Sequence, residues 1–362
     1  MTNDAVTPPD DDLALLRAFE PVVRFTKGEM FFPVGVDAYV ACSALWQSTA
    51  GGDAAVAAQP GDLDLGSLAV AGAQEAGPGQ SLSAVNTGRR IPWRERLRLR
   101  DHREHLKGGS RLAEVGILGR TIDSISRLSL IFRGSVPGGS AAVSMRIQNE
   151  HLDPSQPVYY GRVVRDAGYL ICQYWFFYSF NNWRSGFGGV NEHEADWEQV
   201  TIYLDGTGAT DDDGLPIPRW VVFSAHDETG DDLRRRWDDP DLSLVDGRHP
   251  VVFAGAGSHS GAYLAGDYLI TVQPPSLGGL VKVTRRISQV LTPWSNAARG
   301  VGVPYIDYAR GDGRAIGPGQ PDAWSPRVID DATGWVVDYR GLWGHDTRDR
   351  LGGERGPAGR RD

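Results

Sequence analysis

Residues 169–180 read Y-L-I-C-Q-Y-W-F-F-Y-S-F. Apolar side chains fall at both odd and even positions, so this is neither an amphipathic helix nor a half-exposed strand. It is the pattern of a central strand covered on both faces. Working outward, Val158–Arg165, Asp196–Leu204, Arg219–Ala225, Pro250–Ala254 and Tyr263–Val272 are further short runs of β-branched or aromatic residues. Clusters of Gly, Asp and Pro separate them. No helical stretch alternates with these runs, which argues against a parallel α/β sheet. The expectation is a mainly β fold, an antiparallel β-sandwich.

The remainder of the chain divides by composition. Residues 1–12 are acidic and polar and read as a disordered tail. Residues 13–47 and 150–345 are assigned to the sandwich domain. Residues 48–149 form a loop-plus-helix insertion, and 346–362 a tail. Within the insertion, 48–90 is rich in Ala, Gly, Ser, Asp and Gln without one aromatic residue, which reads as a mobile loop. Residues 89–107 carry eight Arg/Lys against three Asp/Glu. That fits a solvated helix bridged to its own acids, or alternatively a patch for anionic lipid headgroups. In 111–133, Leu112, Val115, Leu118, Ile122 and Ile125 follow the spacing of one buried helical face.

Composition narrows the function classes. A net charge of −9 argues against general nucleic-acid binding. Two cysteines, Cys42 and Cys172, are too few for a disulfide framework, and Cys172 in its apolar run reads as a small buried hydrophobe. No run approaches the roughly 18 apolar residues of a membrane-spanning helix. Met1–Asp12 lacks the basic start and apolar core of a signal peptide, so the expected location is cytoplasmic, with peripheral membrane contact as an option.

The chemistry concentrates in N-E-H-E-A-D-W-E at 191–198. Alternation along a strand puts Asp196, Glu198, Val200, Ile202 and Leu204 on one face, and the last three are core-facing residues. Two carboxylates about 7 Å apart on a partly buried face repel and lose hydration. A divalent cation, Ca²⁺ or Mg²⁺, would offset that, with His193 adding a nitrogen. The competing account is a salt-bridge cluster with Arg162 or Arg184 and no metal. Trp197, inside the motif, is a candidate to line the site. His226 and His259 each follow a strand, and loops of a sandwich gather at its ends, so both are candidates to reach it.

P-V-V-R-F at 21–25, F-F-P at 31–33, Y-W-F-F-Y at 174–178, H-E-A-D-W-E at 193–198, S-A-H at 224–226, H-P-V-V-F at 249–253, G-S-H at 257–259 and G-L-W-G at 341–344 occur in that order. In this the chain resembles the vacuolar protein sorting-associated protein 62 family. The H-x-x-D-x-E core is also similar to that of the necrosis- and ethylene-inducing peptide-like cytolysins. That second resemblance implies a β-sandwich with His193, Asp196 and Glu198 around a divalent cation that helps engage a lipid headgroup. It implies too that Asn181 or Asn182 stands where the cytolysins supply a further acidic ligand. Three functions remain open: a cation-dependent module binding an anionic or polyhydroxylated headgroup or glycan, a metal-dependent hydrolase with a cation-activated water, or a structural component of a larger assembly.

Overall fold

The computed structural model describes residues 9–48, 54–74, 79–85, 140–182, 192–224, 234–272, 303–344 and 356–358. The first part of the chain carries α1 (Pro9–Phe19), β1 (Val22–Phe25), α2 (Val36–Cys42), β2 (Ala44–Ser48), β3 (Ala54–Ala58), α3 (Leu65–Gln74) and β4 (Gln80–Ser83). After α4 (Ser140–His151) come the long strands β5 (Val158–Asp166), β6 (Tyr169–Asn181) and β7 (His193–Asp205), followed by β8 (Pro218–Phe223) and β9 (Arg234–Arg236). Next are β10 (Leu244–Val245), β11 (His249–Ala254), β12 (Gly261–Ala262), β13 (Gly266–Val272) and β14 (Val303–Ala309). Short elements close the described chain: β15 (Ala315–Ile316), β16 (Ser325–Val328), α5 (Gly334–Val337) and β17 (Leu342–Trp343).

The mainly β expectation holds. Strands β16-β5-β6-β7-β8-β9 form a six-stranded sheet in that order, and β10-β11-β1-β15, with β12 beside β11, form a second. Their inner faces interlock into one core. Val23, Phe25, Val252, Ala254 and Ile316 from the second sheet meet Tyr174, Phe176, Tyr178, Val200, Ile202, Leu204, Val221 and Phe223 from the first. Pairing is antiparallel except for three short parallel pairs, β1 with β11, β16 with β5 and β17 with β4.

β6 is covered on both faces, as its sequence requires. Its even-numbered residues from Cys172 to Tyr178 enter the sandwich core. Trp175 and Phe177 point to the other side, into a second cluster with Tyr39, Leu45, Leu68, Leu82, Trp335 and Trp343. Each buried large side chain of this kind contributes about 1.5–3 kcal/mol. Cys172 is fully buried as expected, and burial pushes its thiol up to about 12.

That second cluster corrects the reading of 48–90 as a mobile loop. β17-β4-β2-β3 form a four-stranded sheet with α3 beside it, and Leu63, Leu68, Leu82 and Ala84 are buried in the cluster. Small residues let the backbone pack closely without aromatic anchors, so low aromatic content did not mean absence of structure. The reading of 1–12 as a tail is corrected for its last four residues, which are helical, while 1–8 lie outside the described residues. α1 starts at Pro9, a residue type suited to a helix's first turn, with Asp11 and Asp12 near the positive end of its dipole. Its Leu16 and Phe19 enter the sandwich core. In the 346–362 tail, Gly356 and Pro357 are buried. The basic segment 89–107 and the helix expected at 111–133 lie outside the described residues. Among the described residues no helix is long and apolar enough to cross a membrane.

Candidate functional site

The site forms where β6 and β7 run together toward their shared end. Directly opposed residues on an antiparallel pair share a face. Tyr178 lies opposite Asp196, Phe180 opposite Glu194, and Asn181 opposite His193. Asp196 and Glu198 face the sandwich side along with Val200, as their parity requires. Strict alternation would then send His193 to the opposite face. It does not, because Ala195 adopts a left-handed conformation with φ 57°. Across the turn, the Nδ2 of Asn181 reaches Oδ2 of Asp196 at 3.4 Å, so the Asn181–His193 rung stands on the Asp196 face. Glu194 is turned away, toward the second cluster. A left-handed alanine costs roughly 1–2 kcal/mol, which glycine would relieve at the expense of some chain entropy. Ala195→Gly should therefore raise stability by up to about 1 kcal/mol in chemical denaturation; a loss of stability would show that the turn is not strained.

Asp196 is held from behind by His259, whose Nδ1 lies 2.6 Å from Oδ2 of Asp196. The imidazole stacks on Tyr178 at 3.8 Å, nearly coplanar at 2°. Its Nε2 lies 3.7 Å from Oε1 of Glu29. The loop carrying His259 is tied down in turn: Gly257 N–H donates to Oε2 of Glu29 at 2.7 Å, and Ser258 Oγ donates to Asp307 at 2.6 Å. Burial alone would lower the His259 pKa, but the hydrogen bond to Asp196 and the charge of Glu29 outweigh it and push it up to about 9. The ring is a buried cation between two carboxylates. Tyr178 is driven well above the usual phenol range by burial and by the charges of Glu198, Asp196 and Glu29.

Glu198 accepts a short hydrogen bond from Ser224 at the end of β8, and Ser224 Oγ accepts Gln199 N–H at 2.7 Å. His193 Nδ1 lies 2.8 Å from the Ala195 carbonyl. A carbonyl only accepts, so Nδ1 is the protonated nitrogen in this contact. The expected set of His193, Asp196, Glu198 and Asn182 is nevertheless not closed into a cage. Among the described residues no three His, Cys, Asp or Glu side chains converge to metal-holding distance. Asp196 and Glu198 share one face of β7 and both are buried, Asp196 completely; a hard cation that keeps several waters would need only one or two carboxylates. Asn182 is buried just beyond β6, and the amide that reaches Asp196 is that of Asn181.

Comparison with known proteins adds a limited likeness. No family model matches the chain, which leaves the resemblance to the vacuolar protein sorting-associated protein 62 family without that support. No curated protein matches it either. Solved structures similar to part of it include a necrosis- and ethylene-inducing protein. NLPPya in complex with glucosamine shares 20% identity at a TM-score of 0.23, over 32% of this chain and 48% of that one. NLPPya in complex with mannosamine shares 19% at 0.23, over 31% and 46%. Necrosis and Ethylene inducing Protein 2, from the causal agent of cocoa's witches' broom disease, shares 19% at 0.24, over 31% and 48%. The chain thus spans about half the length of each.

Two sequence candidates fall elsewhere. Trp197 does not line the site. It alternates to the far face of the sheet, where its ring packs on Phe177 at 5.0 Å and Trp343 at 5.3 Å. His226 lies outside the described residues. His259 does reach the site, though as a buried support. Sequence reasoning missed Glu29, Tyr178, Ser224, Ser258 and Asp307. Nothing in the sequence around Glu29 signals that its partner lies at Gly257.

Proposed function

We propose that this chain is a binding module that takes a hydrated divalent cation, Ca²⁺ or Mg²⁺, on the Asp196–Glu198 face. Through that cation it would hold an anionic or polyhydroxylated ligand, such as a lipid headgroup or glycan. The observation that carries the reading is the pair of carboxylates on one face of β7, each fixed from behind, Asp196 by His259 and Glu198 by Ser224. A preorganised pair spends little freedom on capturing an ion. When bound, the cation would supply a positive centre for ligand oxygens, with His193 Nε2 and Asn181 beside it. The hydrolase reading has less behind it. His259, the candidate base, has its Nδ1 already engaged by Asp196.

The test is calorimetric. Chelated protein should melt lower than protein given Ca²⁺ or Mg²⁺, the ion adding about 2.7 kcal/mol at a hundredfold excess over its dissociation constant. Glu198→Gln is the better variant, because Asp196 also partners His259 and its loss would disturb the fold. Glu198→Gln should keep the fold and lose the ion response. Glucosamine, myo-inositol and anionic vesicles should then bind wild type only with the ion present. Identical melting with chelator and with either ion would sink the reading.

A further inference from the structure

We propose that Glu194 is a positioning residue that determines which side chains stand on the ligand face. Its carboxylate is buried and receives four donors from two separate elements. Tyr39 Oη of α2 donates at 3.1 Å and Ser83 Oγ at 2.6 Å; the backbone N–H groups of Ala84 and Val85, just past β4, donate at 2.6 and 3.0 Å. Burial raises the Glu194 pKa, and these donors work against that rise. A carboxylate sunk so deep is an expensive way to fill space, since an apolar side chain would fill it without the desolvation cost. What the carboxylate does that an apolar group cannot is hold the chain in one orientation through four directed bonds.

The orientation matters because of Ala195. With regular alternation, Glu194, Asp196 and Glu198 would all face the sandwich, three carboxylates in a row, and His193 would face away. The left-handed turn at Ala195 reverses the two residues before it. It withdraws the third carboxylate into the donor nest and brings the Asn181–His193 rung beside Asp196. Glu194 in its nest is the fixed point that keeps the turn from relaxing. The small sheet and α2 on the far side thereby control the composition of the ligand face.

The consequence for cation affinity rests on the function proposed above, whereas the placement of His193 does not. The experiment therefore reads both: Mn²⁺ alone as the probe ion, and the His193 ring resonances in metal-free protein, assigned with His193→Gln. Glu194→Gln should shift the His193 ring signals away from the Nδ1–H state bonded to the Ala195 carbonyl and weaken Mn²⁺ at least tenfold. Ser83→Ala and Tyr39→Phe each remove one donor and should move both readouts part of the way; they decide the matter if Glu194→Gln does not fold. Leu68→Ala, in the apolar cluster that also holds Tyr39 and Ala84, removes no donor to Glu194 and should lower the melting temperature while leaving both readouts unchanged. Unchanged His193 signals in the nest variants, or an equal shift in Leu68→Ala, would overturn the proposal. If wild type binds no Mn²⁺, the cation reading fails by itself and the His193 signals still decide the role of Glu194.

Discussion

His259→Ala should cost on the order of 3–5 kcal/mol in chemical denaturation, the range for breaking a buried ion pair from one side. The imidazole is sandwiched between Asp196 and Glu29 and has no exposed surface. Its removal leaves two carboxylates buried without the cation between them, and strips Tyr178 of a ring stacked at 3.8 Å. His259→Gln, which retains a neutral donor, should lose less. The pH dependence in chelator checks the same account independently. The folded pKa, about 9, is raised above the ordinary 6.5. The contribution is therefore fully present below pH 6.5 and fades as pH rises through 9. Wild type should lose stability across that window, and His259→Ala should lack this component. A variant within about 1 kcal/mol of wild type, flat against wild type in its pH profile, would show that the ring is not a charged link.

Gly344→Ala should be comparably severe, at roughly 3 kcal/mol or more, from backbone strain and overpacking together. Gly344 sits at φ 88°, and a Cβ there would lie 2.0 Å from the Glu194 carbonyl oxygen. The obstacle is backbone, which cannot swing aside as a side chain would. Gly61→Ala supplies the comparison: its φ is 94°, with nothing within 4 Å of the added carbon. It should suffer only the conformational cost, about 1–2 kcal/mol. Equal losses at the two glycines would mean that the approach of Gly344 to β7 contributes nothing.

The central architecture was legible because it is written in dense aromatic and β-branched runs. Tyr169–Phe180 announced coverage on both faces, and the parity from Asp196 to Leu204 placed two carboxylates correctly. The satellite sheet was illegible for the opposite reason. β3, α3 and β4 are built mostly from Ala, Gly, Ser and Leu, whose packing value depends on close approach rather than on side-chain bulk. The parity argument failed locally at His193. It gave no account of how His193 joins Asp196, because a single left-handed alanine carries no signature in sequence. Trp197 was drawn into the site by its motif although its own parity sends it away. Glu29 and Asp307 lay beyond reach because each acts on the loop at Gly257 and Ser258, distant in the chain from both.

The pairing of β1 has a bearing on how the molecule is made. This four-residue strand lies parallel to β11 and is flanked on its other side by β15, so strands far apart in the chain lie side by side in the sheet. Closing so long a span slows folding far more than it weakens the final state. Val22, Val23 and Phe25 must wait as an apolar fragment while the intervening chain is synthesised, a period in which neighbouring nascent chains or a chaperone compete for them. The face bearing Asp196 is complete only when the loop after β11 has brought His259 to it.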